Sequence, residues 1–174
     1  SAERFVMMPD LFNYWLTGRT LCELTDATTS QLVNPVTRDW ATDLMDRLGL
    51  PARLATAIVE PGSIIGPMRA GVSSDRLEGT PVIASASHDT ASAVAAITAR
   101  DGTAFLSSGT WSLIGTELDA PVLTPRAMQL NFSNEGGVAR TTRLLKNVMG
   151  LWLLQGCRRS WSESGSDFSY KDLT

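Results

Sequence analysis

The residues with the clearest chemical potential are His88 and Asp89, which lie between a short apolar run and an alanine-rich segment. His88 is the only histidine of the chain, and Asp89 is the only carboxylate between Glu78 and Asp101. Residues 81–97 predict a strand, a turn of small polar residues and then a helix. Because ligands bind outside the carboxyl ends of strands in open α/β sheets, an acid beside a histidine at such a turn suggests chemistry.

A structural interpretation competes with the catalytic one. Asp at the start of a helix is usually a cap, because its carboxylate accepts the free amides of the first turn. On the residues alone, capping is favoured over catalysis. A hydrolase triad is disfavoured, because Ser87, His88 and Asp89 are adjacent, whereas triad members converge from different parts of a fold.

Composition limits the class of protein. The 174 residues allow one domain or parts of two, and 43% hydrophobic with 19% charged residues is typical of a soluble globular protein. A net charge of −3 predicts no nucleic-acid or membrane partner, and the N-terminus has no signal-peptide pattern. Two cysteines, Cys22 and Cys157, are too few for a disulfide framework, so we expect a reducing cytoplasm. The absence of an initial Met suggests a fragment.

The elements that would position these residues begin with a helix over residues 5–18, which Gly18 would terminate as a C-cap. Its aromatic stripe is expected in the core, and consists of Leu11, Tyr14 and Trp15. A second amphipathic helix is predicted over 39–48, and residues 58–67 read as extended chain.

Two further segments of this part bear on function. Residues 23–31 are rich in hydroxyl side chains, which could either present polar groups to a ligand or cap a helix. Residues 98–102 combine charge with glycine and predict a hinge. The hinge would separate one domain, residues 1–99, from a second, residues 100–174.

Beyond the predicted hinge, residues 103–117 predict a β-hairpin whose turn contains Gly109 and Thr110. Glycine lets a backbone approach a ligand closely, and successive turn amides can bind an anion. The segment lacks the Gly-Lys-Ser/Thr ending and the following helix of a Walker A loop. An ordinary structural hairpin turn explains these residues about as well.

The last part of the chain is predicted to be a hairpin, a helix and a loop. Residues 131–137 read as a loop into a second hairpin, and 144–155 as a helix. Asn147 and Gln155 would stand away from the apolar face of that helix, so each could face a ligand or solvent. The final dozen residues are expected to form a loop.

Six segments of the chain resemble the FGGY family of carbohydrate kinases. They are residues 9–18, 27–31, 86–94, 106–117, 131–137 and 143–155, and the likeness extends over nearly the whole chain. The resemblance implies an α/β fold, namely part of a two-lobed sugar kinase with an actin-like, ribonuclease H-like ATPase core. The domain before the hinge would then be the end of the sugar-binding lobe, and the domain after it the beginning of the nucleotide-binding lobe.

The resemblance also implies a reaction, the transfer of a phosphoryl group from ATP, accompanied by Mg²⁺, to the 1-hydroxyl of L-rhamnulose. Asp89 would accept the hydroxyl proton, and a helix N-terminus would favour its ionised form. The other implied roles are sugar binding by His88, Thr90 and Asn147, phosphate binding by Gly109 and Thr110, and a place at the nucleotide site for Gln155.

The chain departs from the family in its extent. Kinases of this kind are more than twice as long, and the phosphate loop of the first lobe and the adenosine-binding segment of the second are missing here. We therefore expect no kinase activity from this chain alone. Two alternatives stay open: a kinase for another ketose, such as L-fuculose or xylulose, and a non-catalytic sugar-binding or assembly module on the same scaffold.

Overall fold

The computed structural model describes residues 2–72, 74, 76–97 and 102–173. The helices are α1 Met8–Thr17, α2 Leu24–Ala27, α3 Thr42–Arg47, α4 Asp89–Ala95, α5 Pro125–Gln129, α6 Trp152–Glu163 and α7 Tyr170–Leu173. The strands are β1 Leu21–Glu23, β2 Val33–Asn34, β3 Asp39–Trp40, β4 Ala57–Val59, β5 Ile64–Pro67, β6 Pro81–Ile83, β7 Ala104–Ser108, β8 Trp111–Leu118, β9 Ser133–Gly136 and β10 Thr142–Met149.

The largest sheet is antiparallel, with the strand order β7-β8-β10-β9. Gly115 lies in its middle, opposite Phe105 on one side and Leu145 on the other. A methyl group on Gly115 would lie 2.8 Å from a ring atom of Phe105 and 2.8 Å from Cβ of Leu145. The glycine therefore lets the three strands close over a buried core.

Among the described residues before this sheet, the strands form three two-stranded sheets. β1 and β4 are parallel, whereas β2–β3 and β5–β6 are antiparallel. One core cluster packs around Cys22, Leu24 and Trp40, and a second contains Leu21, Ile65 and Ala84. The strand before the His88 turn, β6, is antiparallel to its neighbour β5 in a two-stranded sheet, so the rule used for strand ends in open α/β sheets does not apply to it.

The large sheet packs directly on the N-terminal part. Val94 of α4 shares a buried cluster with Phe105 and Leu145, and the amide of Gly136 donates a 3.0 Å hydrogen bond to Oγ1 of Thr28. The predicted hinge, apart from Gly102, lies outside the described residues, and the boundary between residues 99 and 100 stays a prediction.

The predicted helix at 144–155 is wrong. Its first half is strand β10, which pairs with β8 over its whole length and with β9 over four residues, and α6 begins only at Trp152. Leucine and valine suit a buried strand as well as a helix. Pairing with the two flanking strands, β8 and β9, favours the strand here. The predicted loop at 131–137 likewise contains β9, and α7 lies in the predicted C-terminal loop.

The aromatic stripe of α1 is also not core. The helix ends as predicted, with Gly18 left-handed at φ 74°, but Trp15 is 50% exposed and Tyr14 is exposed as well. The buried residue of α1 is Asp10. The helix at 39–48 is shorter than predicted, because residues 39 and 40 form β3. The hairpin at 103–117 and the extended chain at 58–67 are confirmed in outline.

Candidate active site

The first element of the site is the turn that leads from β6 into α4. His88 occupies the N-cap in an extended conformation, and its Nδ1 accepts a 3.2 Å hydrogen bond from the Thr90 amide. Oδ1 of Asp89 accepts from the same amide at 2.6 Å and from the Thr90 hydroxyl at 3.3 Å. Histidine is therefore the residue at the N-cap position, while the aspartate also contacts the first turn.

The three residues differ sharply in exposure. The Asp89 side chain is 98% exposed and that of His88 is 21% exposed, whereas Thr90 is buried. A proton acceptor must be reachable by its substrate. Asp89 meets this requirement, and Thr90 has its hydroxyl turned toward Asp89 rather than toward solvent.

The contacts of His88 define its neutral tautomer. Since Nδ1 accepts a hydrogen bond, the proton of the neutral ring lies on Nε2, which is then a donor. His88 also lines the wall of an open cleft of about 920 Å³. The ring thus caps α4 with one nitrogen and offers a donor from the other.

The cleft brings together two of the predicted sugar-binding residues, His88 and Asn147. Asn147 lies on β10 opposite Leu113 of β8, which lines the cleft as well. The remaining wall mixes apolar and amide side chains; it includes Val122, Leu123, Phe132, Gln31, Asn131 and Asn134. The volume of this open cleft is of the size that small-molecule sites have, about 300–1,000 Å³.

Two of the three residues predicted to contact a nucleotide, Gly109 and Thr110, lie at the tip of the β7–β8 hairpin. The Gly109 and Thr110 carbonyls accept hydrogen bonds from the amides of Leu151 at 2.9 Å and Trp152 at 3.1 Å. The turn therefore holds the beginning of α6, the helix that carries Gln155. Thr110 lies three residues from Leu113, which lines the cleft, and this separation corresponds to roughly 10 Å along the strand.

Gln155 lines a separate groove along α6, together with Arg158, Arg159 and Tyr170. Arg158 donates a 2.7 Å hydrogen bond to the Phe168 carbonyl and lies 4.2 Å from the centre of the Tyr170 ring. The predicted nucleotide residues are thus near each other through α6, but they do not line the cleft of His88 and Asn147.

Sequence reasoning missed a buried carboxylate beneath the turn. Glu23 is fully buried; it accepts hydrogen bonds from the amide and hydroxyl of Thr25 at 3.0 and 2.5 Å, and from the Ser87 amide at 3.0 Å. Ser87 lies 64 residues further along the chain, so no local pattern could have revealed the contact. The hydroxyl-rich segment 23–31 was the one available signal.

Two neighbouring carboxyls have perturbed protonation. Burial raises the pKa of Asp10 to about 6, against the lowering effect of the Glu23 amide that it accepts. Burial also raises the pKa of Asp26, while His88 lowers it and Asp89 raises it. Asp26 therefore belongs to the electrostatic surroundings of the turn.

In the described ranges, no three His, Cys, Asp or Glu side chains come together in a way that could hold a metal ion. None of the helices in the described part has the length and apolar character needed to cross a lipid bilayer. Both cysteines are free thiols, Cys22 buried and Cys157 exposed.

The comparison that decides the family concerns the N-terminal part. The N-terminal domain of the FGGY family of carbohydrate kinases matches residues 1–96, more than half of the chain. The chain belongs to the FGGY family of carbohydrate kinases. The resemblance stated from sequence is thereby confirmed.

Curated relatives of this FGGY chain cover it almost completely. It is 47% identical over 175 residues to a rhamnulokinase of Bacteroides thetaiotaomicron, with 99% of the chain and 35% of the relative covered. A rhamnulokinase of Oceanobacillus iheyensis is 42% identical, with 99% and 36% covered. The chain therefore spans about a third of the length of the curated relatives it matches.

Solved structures confirm the fold of the FGGY chain. A xylulose kinase from Lactobacillus acidophilus superposes with a TM-score of 0.76 at 21% identity, over 91% of this chain and 32% of that one. A gluconate kinase from the same organism gives a TM-score of 0.74 at 23% identity, over 91% and 32%. The predicted α/β fold of the actin-like sugar kinases is confirmed.

Proposed function

We propose that this chain supplies the sugar-binding face and the catalytic base of an ATP-dependent ketose kinase, and that the ketose is L-rhamnulose. The observation that carries the reaction type is the exposed carboxylate of Asp89, next to a histidine on the wall of the cleft. The substrate is supported by relatives named rhamnulokinase at 47% and 42% identity.

Asp89 is the residue that accepts the proton. As the 1-oxygen of the ketose attacks the γ-phosphorus, its proton passes to the Asp89 carboxylate, and the bond between the γ-phosphorus and the bridging oxygen of ADP breaks. Ketose 1-phosphate and ADP result, and the exposed carboxyl returns its proton to water. Phosphoryl transfer asks mainly for such positioning, since it needs little covalent chemistry from the protein.

The cleft residues bind the sugar in this proposal. Nε2–H of His88 donates to a hydroxyl, and the Asn147 amide can both donate and accept. Both side chains line the same cleft. Thr90, which is buried, acts from beneath by bonding Oδ1 of Asp89, so its contribution to the sugar site is to hold the carboxylate.

The nucleotide is bound at the tip of the hairpin. Gly109 permits close approach of the ATP phosphates, the exposed Thr110 hydroxyl donates to them, and Gln155 lies one helical turn further on α6. Mg²⁺ ordinarily retains water and binds substrate phosphates with one or two carboxylates. At this site Mg²⁺ would arrive with the ATP phosphates and neutralise their charge.

The activity is assigned to a protein of the relatives' length that contains this chain, called here the full-length kinase. The chain covers 35% of the Bacteroides thetaiotaomicron relative, and the two predicted sites it carries are separate. We expect the 174-residue chain alone to release no ADP with L-rhamnulose. A cytoplasmic location also stays a prediction.

The test uses the full-length kinase in a coupled assay of ADP release with L-rhamnulose, L-fuculose and xylulose. Asp89→Asn removes the base but keeps the shape, so we expect kcat to fall by about 10²- to 10⁴-fold with ATP binding retained. The matched control is Asp43→Asn, another exposed Asp in the first turn of a helix, which should leave kcat unchanged.

The outcomes separate the possibilities. Retained turnover in Asp89→Asn would contradict the role of the base. Preference for xylulose or L-fuculose would replace the substrate but keep the mechanism. Sugar binding without any ADP release by the unmodified full-length kinase would show a non-catalytic module.

A further inference from the structure

We propose that Glu23 and Thr25 are positioning residues of the kinase site, which fix the backbone at Ser87 and His88 and thereby the place of Asp89 beside the His88 wall of the cleft. The inference rests on the proposed function, because it concerns the same carboxylate. Neither residue contacts the sugar in this view; each acts through the turn.

Glu23 is the anchor of the arrangement. It is fully buried, and burying a carboxylate is costly unless hydrogen bonds satisfy it. The Thr25 amide and hydroxyl supply two of those bonds, and the Ser87 amide supplies a third at 3.0 Å. A cap for α2 would require only the local bonds, so the long-range bond is the informative one.

The Thr25 hydroxyl extends the anchor by one residue. It donates to Oε2 of Glu23 at 2.5 Å, which leaves its lone pairs for the His88 amide at 3.2 Å. A hydroxyl that donates to a carboxylate is polarised and becomes a better acceptor. Two successive amides, those of Ser87 and His88, are therefore held by one buried pair in a segment without regular secondary structure.

The pair is also tied to the other wall of the cleft. Arg143 of β10 is fully buried; its Nη2 lies 3.5 Å from the Thr25 carbonyl and 3.1 Å from Oε2 of Glu135. Burial lowers the pKa of Arg143, and the charges of Glu135 and Glu23 oppose that effect. Asn147 lies on the same strand as Arg143. Thr25 is therefore bonded to both walls of the cleft, to the His88 wall through its hydroxyl and to the strand of the Asn147 wall through its carbonyl.

The test compares Thr25→Val with Thr25→Ser in the full-length kinase. Valine keeps the shape but removes the hydroxyl, so the Glu23 carboxylate loses one of its three hydrogen bonds and the His88 amide loses its acceptor. A misplacement of about 1 Å can reduce turnover about 100-fold, so we expect kcat per folded molecule to fall about 10- to 100-fold in Thr25→Val. Thr25→Ser should stay within about 3-fold of the unmodified enzyme, and the KM for ATP should not change in either.

The control is Thr56→Val, which removes the hydroxyl of another buried threonine, bonded to the Phe5 carbonyl and to Cys22. It should lower the melting temperature without lowering kcat per folded molecule. An equal loss of kcat in Thr56→Val and Thr25→Val would reduce the role of Thr25 to stability and overturn the inference, as would full kcat in Thr25→Val.

A second variant keeps the inference testable if Thr25→Val does not fold. Glu23→Gln places an amide where two acceptor oxygens are needed, so the Ser87 or the Thr25 amide loses its hydrogen bond. We expect the same loss of kcat as in Thr25→Val, at constant KM for ATP. Unchanged kcat would refute the inference. If the unmodified full-length kinase does not phosphorylate the ketose, that result contradicts the proposed function. It is distinct from the results above, which contradict only the positioning role of Glu23 and Thr25.

Discussion

Asp10 should make the stability of this chain fall as the pH rises from 4 to 7. The carboxyl is 1% exposed, and both of its oxygens lie 3.1 Å from the Glu23 amide. Burial raises its pKa from 3.8 to about 6. The folded state therefore binds a proton more tightly than the unfolded state does.

The magnitude follows from the shift, which is 6 minus 3.8, or about 2 pH units; at 1.36 kcal/mol per unit this is about 3 kcal/mol. Since the folded-state pKa is the higher one, this contribution is fully present below pH 3.8 and is lost as the pH rises through about 6. Asp10→Asn remains neutral throughout and keeps an oxygen for the Glu23 amide, so it should lack this dependence.

The assay is urea unfolding of the 174-residue chain and its variant at a series of pH values. The free energy of unfolding of Asp10→Asn, minus that of the unmodified chain, should rise by most of about 3 kcal/mol between pH 4 and 7. Subtraction cancels the titrating groups that do not interact with Asp10, such as Glu60.

Asn13→Ala is the control that moves the same group in a known direction. The Asn13 amide lies 3.4 Å from Oδ1 of Asp10 and lowers its pKa, so its removal should extend the loss of stability to higher pH. A difference between Asp10→Asn and the unmodified chain that stays constant from pH 4 to 7 would refute the reasoning.

Two further predictions concern the full-length kinase. His88→Asn keeps an N-cap acceptor but removes the Nε2 donor, and His88→Ala removes both. The KM for the sugar should therefore rise in both variants. Only His88→Ala should lose about 1 kcal/mol of stability in thermal unfolding. Gly150→Ala would place a methyl group against the Gly109 carbonyl and the Ser112 hydroxyl, so ATP titration should show weaker binding; Gly156→Ala, whose methyl meets nothing within 4 Å, should bind ATP normally.

Local signals with their own chemistry were predictable from sequence. Gly18 ends α1 in the left-handed conformation, and the turn at Gly109 and Thr110 joins two strands as expected. The strand, turn and helix over 81–97 are confirmed through β6 and α4. In each case a few adjacent residues determine the conformation, so a short window contains the information.

Features that depend on distant partners were not predictable. The Glu23 carboxylate meets an amide 64 residues away, and Asp10 is buried because its partner is the Glu23 amide rather than water. The strand character of residues 142–149 depends on pairing with β8 and β9. A leucine-rich run is compatible with either a strand or a helix, and its sequence does not indicate which strands will pair with it.

The position of Asn147 shows why the error in secondary structure matters for the site. In a helix, residues 145 and 147 would point to different sides, whereas in a strand residues 143, 145 and 147 share one face. Arg143 and Leu145 are fully buried on that face, and at Asn147 the same face becomes a wall of the cleft. The strand therefore places the buried Leu145 on one face between the guanidinium that bonds to the Thr25 carbonyl and the amide proposed to bind the sugar.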